Sequence, residues 1–122
     1  VDITARDLQA AAKKKGRPWD MAKGFDESGP VGALVPSANG AWYSDATSLQ
    51  LWVNGERKQQ TLLDGMIWPV ADVISELSKQ IRLEPGDIIF TGTPSGVGEM
   101  RVGDRFSATC GDLPPCEFEL VE

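Results

Sequence analysis

The stretch from Ser48 to Thr61 limits what this chain can fold into more than any other. Ser48-Leu49-Gln50-Leu51-Trp52-Val53 is rich in residues that favour strands. Asn54-Gly55 follows, the pair best able to hold positive φ at both centres of a type I′ turn, and Glu56 to Thr61 then returns. A type I′ turn matches the twist of paired strands, so the stretch predicts an antiparallel hairpin.

Other elements arrange themselves around it. Thr4-Ala5-Arg6-Asp7 has the form of a capping box, with Thr4 as N-cap. The run from Leu8 to Lys15 favours helix until Gly16 and Pro18 stop it, which predicts a helix from about Thr4 to Lys15. Trp19 to Pro30 reads as a loop, Val31 to Val35 as a short buried strand, and Ser37 to Thr47 as another loop. After Pro69, the residues Val70, Val73, Ile74, Leu77 and Ile81 share one helical face, predicting a helix of about three turns packed on a sheet. Ile88-Ile89-Phe90 reads as a central strand leading into the Gly-rich loop Thr91 to Gly98. Strands over about Arg105 to Cys110 and Cys116 to Val121 complete an α+β, strand-dominated class.

With 122 residues, the chain suits one domain around one core. No apolar run approaches the roughly 20 residues that span a bilayer, and Val1-Asp2-Ile3-Thr4 is unlike a signal peptide. A cytoplasmic location without membrane partners is expected. The net charge of −6 argues against a nucleic-acid partner. The one basic cluster, Lys13-Lys14-Lys15 with Arg17, falls where a helix ends and where its dipole favours cations. Cys110 and Cys116 are read as reduced thiols, with a disulfide across residues 111–115 as the alternative. The chain contains no histidine, so proton transfer within it would fall to carboxylates, to Lys23 or to a metal-bound water. It also lacks an initiator Met and opens inside what reads as an element, which suggests part of a longer protein.

Three features could carry chemistry. Asp2, Arg6 and Gln9 are spaced i, i+4 and i+7 and would share one face of a continuous helix. Such a face could hold a metal and an anionic substrate, or it could simply be solvated. Lys23 stands alone in the Gly-containing loop Ala22-Lys23-Gly24-Phe25. The Thr91–Gly98 loop follows an apolar run, where free backbone N–H groups often bind anions. It is neither a Walker A loop nor a dinucleotide fingerprint, because its glycine spacing differs and no Gly-Lys-Ser/Thr ending follows.

Taken together, these segments resemble the fumarylacetoacetate hydrolase family, and most closely its acylpyruvase and oxaloacetate-decarboxylase-like members. Asp2-Ile3-Thr4-Ala5-Arg6-Asp7-Leu8-Gln9 is similar to that family's Asp-x-Ser/Thr-Ala-Arg-Asp-x-Gln motif. Ala22-Lys23-Gly24-Phe25-Asp26, Leu51-Trp52-Val53-Asn54-Gly55-Glu56, Met66-Ile67 and the stretch from Glu84 to Gly98 resemble further family segments, in order along nearly the whole chain.

The resemblance implies a mixed β-sandwich roll with two short helices, assembled as a homodimer. It implies Mg²⁺, with Mn²⁺ or Ca²⁺ as alternatives, all hard cations that prefer oxygen ligands. It also implies a small 2-oxo or β-diketo acid substrate, cleaved by C–C bond hydrolysis as in acylpyruvates. Oxaloacetate decarboxylation or tautomerisation, another 2-oxo-acid isomerisation and a catalytically silent chain are the alternatives. By the same matching, Asp2 is a metal ligand, Arg6 and Lys23 are catalytic, and Gln9, Lys23 and Thr93 contact substrate. Residues 1–122 would then be a partial catalytic domain, because the family's Glu-x-Glu metal pair and its His–Glu dyad have no counterpart here. Glu117-Phe118-Glu119 has the spacing of that pair but reads as the exposed face of the last strand.

Overall fold

The computed structural model describes residues 1–37, 44 and 46–122. Most of the loop read over residues 37–47 lies outside these. Helix α1 spans Arg6–Lys14 and α2 spans Asp20–Lys23. Strands β1 (Ser48–Val53) and β2 (Glu56–Leu62) precede α3 (Val70–Ser78), and β3 (Arg105–Cys110) and β4 (Cys116–Glu119) end the order. The four strands form one antiparallel sheet in the order β2-β1-β3-β4.

The hairpin forms as its turn chemistry requires. Asn54 and Gly55 hold φ of 52° and 79°, the left-handed values of a type I′ turn. Asn54 also ties the turn to the start of β3. Its Nδ2 donates to Asp104 Oδ1 at 2.7 Å, and its Oδ1 accepts from Arg105 N–H at 2.9 Å. The Asn54 amide and the Arg101 backbone N–H hold the Asp104 carboxyl below its ordinary range. Further along the hairpin, Trp52 pairs with Arg57 but Leu51 pairs with Gln59. Lys58 is thus the extra residue of a β-bulge, a device that bends a strand and re-aims its side chains.

Several expectations change. Helix α1 begins at Arg6 with Ala5 as its N-cap and no side-chain cap. Thr4 does not cap it, because the Thr4 hydroxyl is taken by Lys23 at 2.8 Å. Asp2 therefore precedes the helix, and Asp2, Arg6 and Gln9 do not share a continuous helical face. A short third helix, α2, lies where a loop was expected. Val31 to Val35 and Ile88 to Phe90 form no strand, and β4 ends at Glu119 rather than Val121. Both apolar runs lack a partner strand among the described residues, and Leu34 and Ile88 are exposed. Helix α3 is short and buries no residue, so it does not pack into the sheet as its apolar face suggested.

Among the described residues, the buried hydrophobics are Ala22 and Phe106. The Phe106 ring stacks on Phe118, its cross-strand partner, at 4.7 Å between centroids. Leu34, Met21, Ile67 and Trp68 are all largely exposed. The accessible surface is 9376 Å², whereas a compact monomer of this mass exposes about 6,400 Å². Among the described residues, exposed large apolar side chains such as these contribute to that surface. No described helix is long and apolar enough to cross a membrane.

Candidate active site

Two backbone hydrogen bonds lay the start of the chain against the α2 segment. Ile3 N–H donates to Ser28 O at 2.8 Å, and Ala5 N–H donates to Ala22 O at 3.0 Å. The methyl of Ala22 is buried at this contact, and a larger side chain there would separate the segments. Ser28 also fastens the next turn, its Oγ donating to Lys23 O at 2.6 Å. These bonds bring together two side chains that lie 21 residues apart.

Lys23 Nζ donates to Asp2 Oδ2 at 2.5 Å and to Thr4 Oγ1 at 2.8 Å. Each partner of the ion pair keeps 33% of its side chain exposed. A pair this wet contributes at most about 1 kcal/mol to folding. An ammonium carries three N–H donors, so one remains for another acceptor. Asp2 and Lys23 line a cleft of about 280 Å³ with Ser28, Gly29 and Phe90. A Cβ on Gly29 would come within 3.0 Å of Phe90 Cζ, so the glycine lets that ring close one wall.

None of the other predicted residues lines this cleft. Arg6 Nη1 donates to Gln9 Oε1 at 2.9 Å, one turn apart on α1. Thr93 sits in the irregular Thr91–Gly98 loop, where its Oγ1 accepts from Gln59 Nε2 at 3.1 Å. Asp2 and Lys23 are thus in contact, Arg6 and Gln9 form a second pair, and Thr93 is fastened to β2. The residues missed from sequence are Thr4, Ser28, Gln59 and Phe90. Thr4 carried a signal: two residues from Asp2 in extended chain, it lies on the same side as Asp2. Glu117 and Glu119 are exposed on β4, with Glu119 paired to Arg105 at 3.1 Å. A larger hollow of about 640 Å³ lies over the sheet near Trp52 and Phe118, and it holds none of the predicted residues.

Asp2 has the hard oxygen chemistry that Mg²⁺ or Mn²⁺ prefers. It stands alone, however: no three Cys, Asp or Glu side chains gather as a metal cluster among the described residues. The chain fits such an ion as one ligand, not as a full shell. Both cysteines are free, and burial pushes the Cys110 thiol up.

Comparison with known proteins adds a family context. The model described as "Fumarylacetoacetate (FAA) hydrolase C-terminal" matches residues 1–121. The human protein named oxaloacetate tautomerase FAHD1, mitochondrial, is 44% identical over 122 residues, covering 98% of this chain and 54% of that protein. A fumarylpyruvate hydrolase from a Ralstonia species is 43% identical over 105 residues, covering 86% of this chain and 54% of that one. Among solved structures, fumarylpyruvate hydrolase from Pseudomonas aeruginosa in complex with Mn²⁺ and pyruvate superposes with a TM-score of 0.89 at 40% identity. It covers 97% of this chain and 50% of that one. The chain therefore spans about half the length of the curated relatives it matches.

Proposed function

Since the chain belongs to the fumarylacetoacetate hydrolase family, we propose that the intact protein is a divalent-metal-dependent hydrolase that cleaves the C–C bond of acylpyruvates or related β-diketo acids. The observation that carries this reading is the Asp2–Lys23 contact in the lining of a small cleft. Asp2 would be one oxygen ligand of the ion, with Mg²⁺ first and Mn²⁺ or Ca²⁺ as alternatives; the Mn²⁺ and pyruvate of the Pseudomonas relative support an ion and a 2-oxo acid together. When bound, such an ion polarises the oxygens of a chelated oxo acid as a Lewis acid.

This chain's own groups would bind and orient the substrate. Lys23, with two donors used, would give its third to an oxygen that gains negative charge, and Asp2 and Thr4 would hold the ammonium in place beforehand. The Thr93 hydroxyl would donate to the substrate carboxylate. The Arg6–Gln9 pair would flank it, Gln9 offering a substrate contact and Arg6 positive charge. Phe90 would keep water from one side of the cleft. The family's His–Glu dyad has no counterpart in these residues, so a dyad that activates the attacking water would come from outside them.

Oxaloacetate tautomerisation or decarboxylation is the second reading, favoured by the name of the human relative; neither needs an attacking water. A homodimer in the cytoplasm belongs to the proposal, supported by apolar surface that needs covering, although the human relative is named as mitochondrial. A substrate panel on the intact protein separates the readings. An acylpyruvate should be split to pyruvate and a carboxylic acid with Mg²⁺ or Mn²⁺ present, and the reaction should stop on chelation. Conversion of oxaloacetate alone would shift the assignment to the tautomerase reading. Inertness toward both classes would refute the enzymatic one.

A further inference from the structure

The side chain of Gln59 fastens the loop that carries Thr93 to the hairpin. Gln59 Nε2 lies 2.8 Å from Pro94 O, 3.1 Å from Thr93 Oγ1 and 3.4 Å from Ser95 O. Backbone carbonyls only accept, so the nitrogen end of the Gln59 amide must face the loop. Its two protons then serve Pro94 and Thr93 at ordinary distances, and the Ser95 contact is the weakest of the three. This fixes the role of Thr93. Its oxygen accepts from Gln59, so its own proton is left to donate. The nearest alternative acceptor, Pro94 O, lies 3.5 Å away, too far to hold that proton firmly. The β-bulge contributes the backbone: Lys58 drops out of the strand pairing, and Gly96, with φ of 100°, closes on the Lys58 carbonyl. Gln59 follows directly, half-buried and aimed at the loop.

We propose that Gln59 is a positioning residue that sets Thr93 as a hydrogen-bond donor toward the carboxylate of the 2-oxo acid. This rests on the substrate-contact role given to Thr93 above. Gln59 acts through Thr93 and does not touch substrate, so its influence should disappear when the Thr93 hydroxyl is gone.

A double-mutant cycle in the intact protein tests this, using Gln59→Met, Thr93→Val and the double variant, with turnover of an acylpyruvate or oxaloacetate and affinity for oxalate as readouts. Gln59→Met should raise KM and the oxalate Kd about fivefold to tenfold, as loss of one neutral hydrogen bond implies, and Thr93→Val should raise them by at least about tenfold, as loss of one to a carboxylate implies, with kcat altered less in both. The double variant should be no worse than Thr93→Val. Amide exchange over residues 91–98 should quicken in Gln59→Met while the melting temperature stays near that of the parent. Multiplicative losses in the double variant, or unchanged oxalate affinity and loop exchange in Gln59→Met, would overturn the proposal while leaving the functional reading intact. A parent protein that neither turns over these acids nor binds oxalate would overturn the functional reading, and this inference with it.

Discussion

Asp2→Ala in the intact protein will lower divalent-cation-dependent turnover by at least about a hundredfold. Loss of a group that merely orients a metal ligand already costs 10- to 100-fold, so loss of a ligand itself should exceed that. The change should scarcely affect folding. Asp2 is one-third exposed, its ion pair contributes at most about 1 kcal/mol, and the backbone bonds that place it use Ile3 and Ala5 rather than its own side chain. Kinetics with an acylpyruvate over a range of Mg²⁺ concentrations, alongside a thermal melt, separate the two effects. Unchanged activity at saturating Mg²⁺ would remove Asp2 from the ligand set.

Gly96→Ala should damage both the loop and the fold. A Cβ there would lie 2.2 Å from Lys58 O, well inside contact distance, and its φ of 100° is one that side chains rarely adopt. The obstacle is a backbone carbonyl, held in the sheet by its neighbours, so no rotamer change relieves it. Strain of this kind costs about 1–3 kcal/mol before the overlap is counted, and forced overpacking adds a similar amount. The expected result is an unfolding free energy lower by about 3 kcal/mol or more, seen as a lower urea midpoint, together with a higher KM because Thr93 moves with the loop. Gly98→Ala is the control: a Cβ there meets nothing within 4 Å. Equal midpoints for the two variants would show that the loop does not dock on the bulge.

The parts of this fold that could be read in the sequence are those decided locally. Asn54-Gly55 dictates its own turn through φ alone, and β1 and β2 follow from it. Strand β3 occupies the predicted residues, 105 to 110, and the exposed Glu117 and Glu119 fall on the outer face of β4 as their alternation implied. Apolar runs misled where their meaning depended on distant neighbours. Ile88-Ile89-Phe90 has the composition of a central strand, but such a strand needs partners, and the Phe90 ring instead lies against Gly29 beside the cleft. Thr4 looked like a cap because a hydroxyl before a helix usually bonds the helix; here a lysine 19 residues away takes it.

The site itself was legible only through the family resemblance. Spacing alone put Asp2, Arg6 and Gln9 on one helical face, yet Asp2 reaches Lys23 because two backbone bonds pair extended chain with α2 and with Ser28 beyond it. No local pattern announces a contact of that sort. Gln59 carried no signal at all, since a glutamine in a polar strand looks like any solvated residue until the loop it holds is seen.

Oxalate, a planar dicarboxylate that mimics the chelating end of a 2-oxo acid, offers the most direct test of the shared role of Asp2 and Lys23. Titrated calorimetrically into the intact protein with Mg²⁺, it should bind tightly, lose that affinity when the ion is chelated, and bind at least about tenfold more weakly to Lys23→Met, since a hydrogen bond to a charged group is worth about 1.5–3 kcal/mol. Equal affinity with and without the ion, and with and without the lysine, would contradict the account.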